Sequence, residues 1–149
     1  MKIIRAVAVF CEDLREIGKG QDILIGTMSD NLGVPIVPAM LPKLAVYLRG
    51  YFDVAAKPQP INGWVKFPWG HRIDLGEATE ELVESAIRQA KAHKNPLAGV
   101  ILKGMFSPFA VESFGVATAH IKIGRQEHLC GLLNFVEAPK KANVSAPPA

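Results

Sequence analysis

The sequence predicts a mainly β protein: an immunoglobulin-like antiparallel two-layer sandwich with one inserted amphipathic helix at about 77–94. Three observations lead to this prediction. Stretches rich in β-branched and aromatic residues are separated by turn residues about every eight to twelve positions. Several of these stretches alternate apolar and polar side chains with a period of two. Only one stretch has helical periodicity, whereas a parallel βαβ sheet would need several helical crossovers.

The first predicted element is a hairpin with strands at 2–11 and 22–28. A long polar loop at 12–21, which contains glycine, is expected to join them. From Ala6 onward both faces of the first strand are largely apolar. Because such a strand is covered on both sides, we expect it inside a sheet layer or at a subunit contact.

The middle of the chain predicts a crossing segment, a strand and a second hairpin. The segment 36–43 is rich in proline, so it is expected to be extended but not a central strand. The alternation in 44–54 predicts a strand whose more polar side faces outward. The segments 61–67 and 72–75 flank a Pro-Trp-Gly turn and predict the hairpin.

The helix predicted at 77–94 has apolar residues at helical spacing, acidic residues in its first half and basic residues in its second. We expect its apolar side to pack on a sheet layer or across an open end of the sandwich. Three more strands are predicted at 97–106, 114–123 and 128–137. The predicted total is about seven or eight strands.

The chain of 149 residues fits a single domain, which we place at 1–137, followed by a flexible tail at 138–149 that contains proline and lysine. Apolar residues make up 49% of the sequence and charged residues 21%, as in ordinary globular proteins.

Charge and hydropathy exclude several classes of partner. The net charge of +3 is spread along the chain without a basic stripe or interleaved aromatics, so no nucleic-acid partner is expected. The longest apolar run is about ten residues, which is too short to span a bilayer, so no membrane partner is expected. The N-terminal stretch does not have the pattern of a signal peptide, and we expect the cytoplasm of the producing cell.

Four segments of the first fifty residues form a distinctive set: Ala-Val-Ala-Val-Phe-Cys-Glu-Asp-Leu-Arg-Glu (6–16), Gln-Asp-Ile-Leu-Ile-Gly-Thr (21–27), Val-Pro (34–35) and Leu-Pro-Lys-Leu-Ala-Val-Tyr-Leu-Arg (41–49). This set resembles a family of small uncharacterised bacterial and phage-associated proteins, a domain of unknown function. The resemblance is weaker in the last hairpin. It implies a compact β-rich domain in bacteria or their phages, and it transfers no catalytic residue.

The acidic residues Glu12, Asp13 and Glu16 cluster after the first strand, with Arg15 among them. Clustered carboxylates can bind Ca²⁺, but the spacing of a calcium loop is absent, so a solvated turn with local ion pairs is expected. No cofactor and no metal site are predicted from the sequence.

Histidines are common zinc ligands, and the chain has four of them. If Ile123 pairs with His128 across the Gly124 turn, then Cys130 falls opposite Ile121. His120 would then lie too far along the ladder to meet His128, and zinc needs three or four convergent ligands.

The two cysteines, Cys11 and Cys130, lie near opposite ends of the chain. Their placement inside predicted strands indicates reduced, buried side chains. The alternative is a disulfide between the first and last strands, or links to neighbouring chains, which makes both residues candidates for a cross-link.

Large apolar residues are unusually common in the predicted turns. Turn-tip aromatics either fold back on their own core or serve as anchors for a partner. The candidate interface residues are Phe67, Trp69, Phe106, Phe109 and Met40.

The leading hypothesis is a non-enzymatic structural or assembly protein that acts through protein–protein contacts and self-associates. A phage virion component, such as a decoration, collar or adaptor piece, is one setting for it. The alternative is a soluble cytoplasmic module that binds a small ligand or a protein partner. A third hypothesis is a small hydrolase that uses His120 or His128 with Glu127.

Overall fold

A computed structural model describes residues 1–139 of the chain. These residues form eleven strands and one helix. In chain order the elements are β1 Ile3–Gly18, β2 Gln21–Thr27, β3 Asn31–Val34, β4 Ala39–Leu41, β5 Leu44–Asp53, β6 Ile61–Lys66, β7 Arg72–Ala78, α1 Glu80–Ala92, β8 Leu97–Phe106, β9 Phe109–Val111, β10 Gly115–Ile123 and β11 Gln126–Glu137.

The strands form two packed sheets. One has four strands in the order β2-β1-β5-β8, and the other has five in the order β3-β11-β10-β6-β7. The strands β4 and β9 pair as a short separate ribbon. All pairings are antiparallel except that of β3 with β11, which is parallel. The predicted two-layer sandwich with one inserted helix is confirmed.

The core lies between the two sheets and follows from the alternation in the central strands. In β5 the side chains of Leu44, Val46 and Leu48 are completely buried. Arg49 is exposed on the opposite face, as the sequence predicts. Burial of a Leu or Val side chain stabilises the fold by about 1.5–3 kcal/mol, so this face dominates the energetics.

The sheets approach each other closely where glycine replaces a side chain. A Cβ atom built on Gly131 of β11 would lie 2.8 Å from the carbonyl oxygen of Ala8 in β1. A Cβ atom on Gly63 of β6 would lie 2.8 Å from Cδ1 of Leu102 in β8. These two glycines therefore set the distance between the layers.

The helix is shorter than predicted, and the prediction of 77–94 is corrected to Glu80–Ala92. Ala78 ends β7, and Thr79 caps the helix because its Oγ1 accepts a hydrogen bond from the backbone N–H of Leu82 at 3.3 Å. The helix contacts β7 and β8. It thus closes the side of the sandwich where β7 and β8 lie next to each other.

The polar loop predicted at 12–21 is wrong, because β1 continues to Gly18 and turns tightly into β2. The turn is possible because Gly18, Lys19 and Gly20 all have positive φ angles. Polar side chains in 12–18 are compatible with a strand because this part pairs only with β2, in a two-stranded ribbon.

The strand count exceeds the prediction because β3, β4 and β9 have only three or four residues each. Such short strands leave too little alternation to detect in a sequence. Of the predicted tail at 138–149, Ala138 donates its N–H to the carbonyl of Val34 at 2.8 Å. Residues 140–149 lie outside the described part of the chain.

Candidate functional site

Two of the predicted interface residues are core residues. Phe67 is 1% exposed and Phe109 is 6% exposed, and their ring centroids lie 5.0 Å apart. The prediction that these two side chains form an exposed contact surface is corrected. The reason is that the turn at 68–70 folds back on the core, with the N–H of Gly70 donating to the carbonyl of Phe67 at 3.0 Å.

Trp69 and Phe106 are half-buried and join the same aromatic cluster. The ring of Trp69 stacks on that of Phe67 at a centroid distance of 5.0 Å and lies 5.7 Å from that of Phe135. Met40 differs from the other four candidates because its side chain is 64% exposed. Of the five candidates, Met40 is therefore the one with most of its surface available to a partner.

Both cysteines are free thiols in the structure. Cys11 is completely buried, and burial together with the nearby Asp13 carboxylate raises its pKa. Burial raises the pKa of Cys130 to about 11, and its thiol donates a hydrogen bond to the carbonyl of His128 with an Sγ–O distance of 3.4 Å. Because the thiolate is the reactive form, both side chains are poor nucleophiles at neutral pH.

The register of the last hairpin differs from the predicted one. Ile123 pairs with Gln126 and Ile121 pairs with His128, because the turn consists of two residues, Gly124 and Arg125. The predicted pairing of Ile123 with His128 is therefore wrong by two positions.

His120 lies on the outer face of the five-stranded sheet. Its Nδ1 lies 3.1 Å from Oε1 of Glu127 and its Nε2 lies 2.8 Å from Oγ1 of Thr118. Its ring stacks on Trp64 at 5.5 Å, and the guanidinium of Arg72 lies 4.1 Å from the centroid of the Trp64 ring. These contacts hold the imidazole in place and use both of its nitrogens. We call the group of Glu127, Thr118, His120, Trp64 and Arg72 the His120 row.

Within residues 1–139, no group of three or more His, Cys, Asp or Glu side chains could hold a metal ion. Two of the three acidic residues after Cys11, Asp13 and Glu16, pair with cations instead. Asp13 lies 3.3 Å from Nε of Arg15 and 3.7 Å from Nζ of Lys43. The expected local ion pairs are present, although they lie on a strand and not in a turn.

The most distinctive feature is the second half of the first hairpin, residues 12–27, which we call the hairpin arm. Lys103 of β8 pairs with Tyr47 of β5, on the outer face of the four-stranded sheet. Its Nζ lies 2.7 Å from Oδ1 of Asp22 and 2.8 Å from Oε1 of Glu16, both in the arm. Because β5 separates β1 from β8 in the sheet, the arm must bend over the outer face to make these contacts.

The two faces of the arm differ in character. Leu14 pairs with Leu24, and Glu16 with Asp22, on the face that turns toward Lys103. The other face carries Ile23 and Ile25, whose side chains are 43% and 39% exposed. The arm therefore presents apolar side chains to solvent, while two of its carboxylates, Glu16 and Asp22, contact Lys103 of the sheet.

A cleft of about 460 Å³ lies at the base of the arm. Its walls are mainly apolar and its rim is charged; the lining residues are Glu12, Asp13, Arg15, Ile25, Met28, Leu32, Leu41, Pro42 and Lys43. Burial raises the pKa of Asp13, but hydrogen bonds from Arg15 and the Leu14 N–H, with the charge of Lys43, bring this pKa below its ordinary value. Asp13 is thus held as a carboxylate at the rim.

Further large apolar side chains are exposed on both outer sheet faces. On the four-stranded sheet they are Val7, Ile101 and Met105. On the five-stranded sheet they are Val116, Leu129 and Leu132, with Phe114 directly before β10. None of these residues was among the sequence-based candidates, because alternation does not distinguish an outward apolar residue from an inward one on a strand with two apolar faces.

Comparisons with protein-family models, with curated proteins and with solved structures gave no match. The family resemblance of the first fifty residues therefore stays a prediction. In the described part of the chain, no helix is long and apolar enough to cross a membrane.

Proposed function

We propose that this protein is a non-enzymatic structural or assembly component that works through protein–protein contacts. The observation that carries the proposal is the exposure of large apolar side chains over both outer sheet faces and the hairpin arm. Contiguous patches of exposed apolar residues mark contact surfaces, whereas single exposed apolar residues are common on monomers.

The positions of the exposed apolar side chains relative to one another support this proposal. On the five-stranded sheet, Leu132 pairs with Thr118 and Leu129 pairs with His120. Val116 lies two positions from Thr118 on the same strand and hence on the same face. These apolar side chains form one patch beside the His120 row, with the polar edge that protein interfaces commonly have.

His120 contacts Glu127 through one ring nitrogen and Thr118 through the other, while Trp64 covers a face of the ring. A carboxylate, an imidazole and a hydroxyl in this order are also the groups of a nucleophile with its base, so these contacts favour neither a structural nor a catalytic role. The proposed setting is the cytoplasm of the producing cell, with incorporation into a phage particle as decoration, collar or adaptor, an analogy from the fold and the family resemblance.

Hydrogen exchange at low and high micromolar protein concentration tests the proposal. Amides in strands that carry a contact surface should exchange more slowly at the higher concentration, because association removes them from water. The strands expected to respond are β2, β10 and β11. Helix α1 is the internal control, since its apolar residues Val83 and Ile87 are already buried within the chain. An exchange pattern that does not change with concentration would contradict assembly of this protein with itself.

The cleft at the base of the arm favours a second candidate, a module that binds a small ligand. Its volume of about 460 Å³ lies in the range of known ligand sites, and apolar walls with a few charged groups are typical of them. The corresponding test is a ligand screen by NMR with wild type and Leu41→Trp, which would fill the cleft. Saturable binding that this variant abolishes would favour the second candidate over the first.

A further inference from the structure

The strand β2 forms an edge of the four-stranded sheet. It pairs with β1 on one side, and within residues 1–139 no strand pairs with its other side. A free edge offers a row of backbone N–H and C=O groups that can pair with another chain. Natural proteins usually protect such an edge with lysine, proline, a bulge or a covering element.

This edge lacks lysine and proline, although Gly26 within it has a positive φ of 65°. The sequence of β2 is Gln-Asp-Ile-Leu-Ile-Gly-Thr, without lysine or proline. Its pairing with β1 runs without a register shift from Asp22 to Ile25, and the bulge between β1 and β2 falls beyond this stretch, near Ile17 of β1. The outward side chains of Ile23 and Ile25 are substantially exposed.

The single charged residue of β2 is already neutralised. The carboxylate of Asp22 is only 10% exposed and contacts Nζ of Lys103 at 2.7 Å. A second copy of the strand would therefore meet no unpaired charge along the seam. Like charges directly opposite one another destabilise the pairing of two strands.

We infer that β2 pairs antiparallel with β2 of a second copy of this chain, about a two-fold axis at Leu24. This inference rests on the proposed function and names the partner and the seam. In that register Leu24 faces Leu24 of the partner, and Ile23 of each copy faces Ile25 of the other. Asp22 faces Gly26 of the partner, so no like charges meet. The two hairpin arms become one four-stranded ribbon, which links the two copies of the four-stranded sheet.

The register is self-complementary, as a two-fold interface requires. Both exposed isoleucines of each copy are covered by isoleucines of the other, in two symmetric cross-strand pairs. Moving the axis by one residue toward the N-terminus would place Ile23 opposite itself and Asp22 opposite Leu24. The axis at Leu24 is thus the register that joins apolar residues and keeps Asp22 opposite glycine.

Cross-linking through introduced cysteines tests the register. In Leu24→Cys the two introduced cysteines would face each other with Cα atoms about 4.5–5.5 Å apart, a separation that a disulfide can span. Under copper-phenanthroline this variant should form a covalent dimer. Gln21→Cys is the matched control, because its two thiols would lie six residues apart in register, or about 20 Å, and its cross-strand partner within the chain is Gly18 and not a cysteine. Wild type treated in parallel gives the background from Cys11 and Cys130.

A charge variant tests the same seam without oxidation. Ile25→Lys should weaken self-association about tenfold or more, since two lysines per dimer would be buried against isoleucine. Leu132→Lys, at an equally exposed position on the other sheet, should leave the β2 dimer unchanged.

The outcomes separate this inference from the proposed function. Association that persists in Ile25→Lys, with no cross-link in Leu24→Cys, would overturn the β2 seam while the assembly proposal stands. Equal cross-linking in Leu24→Cys and Gln21→Cys would also overturn it, since only one register fits. If wild type and every variant are strictly monomeric, both this inference and the proposal of self-assembly are contradicted.

Discussion

The Nζ atom of Lys103 lies 2.7 Å from Oδ1 of Asp22, a residue 81 positions earlier in the chain. This contact, with the second one to Glu16, fastens the hairpin arm to the outer face of the four-stranded sheet. Cys11 lies on that outer face at the base of the arm and is completely buried, and we infer that the arm covers it. Hydrogen bonds from Lys103 to Asp22 and Glu16 also raise the pKa of the lysine, so it stays charged at neutral pH.

Lys103→Met should loosen the arm and expose Cys11. We expect Cys11 to react faster with a thiol reagent in this variant, with a loss of about 1 kcal/mol in unfolding free energy because the pair is partly exposed. Mass spectrometry of labelled peptides separates Cys11 from Cys130. Lys66→Met, which removes an exposed lysine from the other sheet, is the control. Equal protection of Cys11 in all three proteins would show that the arm does not cover it.

Asp13→Asn should remove a pH-dependent part of the stability. The pKa of Asp13 is lowered from its ordinary value of 3.8, so its ion pairs stabilise the folded state above pH 3.8. This contribution is lost as the pH falls through the lower pKa of the folded state. The difference in urea midpoint between wild type and variant should therefore be present at neutral pH and vanish in acid. A difference that is constant with pH would contradict the assignment.

Gly131→Ala should destabilise the sandwich by about 1–3 kcal/mol, because the added methyl would press on backbone and not on a flexible side chain. The atom it would meet is the carbonyl oxygen of Ala8, at 2.8 Å. Gly33→Ala is the matched control, since its nearest neighbours lie at an ordinary 3.4 Å. Thermal unfolding of both variants measures the difference, and equal melting temperatures would mean that the two sheets are free to move apart.

Trp69→Ala should destabilise the fold by about 3 kcal/mol, as expected for an aromatic residue packed in a core cluster. The exposed residue Met40 provides the comparison, and Met40→Ala should change stability by less than about 0.5 kcal/mol. Denaturant unfolding of both variants measures the two changes in the free energy of unfolding. If Trp69→Ala keeps its stability and loses self-association instead, Trp69 belongs to the interface that the sequence predicted.

The fold class can be predicted from the sequence because the period-two pattern of the strands and the amphipathic pattern of the helix are both visible without tertiary contacts. The strand β5 and the buried face of α1 illustrate this, since Leu48 and Val83 are buried on the side that the pattern predicts. The helix start was three residues too early, because Glu77 and Ala78 have helix-forming side chains but belong to β7. Tertiary pairing overrides local propensity at such boundaries.

The candidate site was harder to predict for two physical reasons. The polar residues of 12–18 predict a loop, whereas they lie in β1. They can be polar because a two-stranded ribbon leaves its side chains exposed, and the pattern therefore does not reveal the arm. The contact between Lys103 and Asp22 depends on a bend that no local pattern encodes. Conversely, Phe67 and Phe109 looked exposed because they flank turns, although the turns fold back on the core.

The mass of the native protein in solution, measured by light scattering at several concentrations with and without reductant, tests the central claim most directly. We predict a mass that rises with concentration above the 16.1 kDa of one chain and is unchanged by reductant, because the contacts are apolar and both thiols are free. A mass of 16.1 kDa at every concentration would contradict assembly of this chain with itself. A larger mass that returns to 16.1 kDa only with reductant would show that cysteine links, and not the exposed apolar surfaces, hold the copies together.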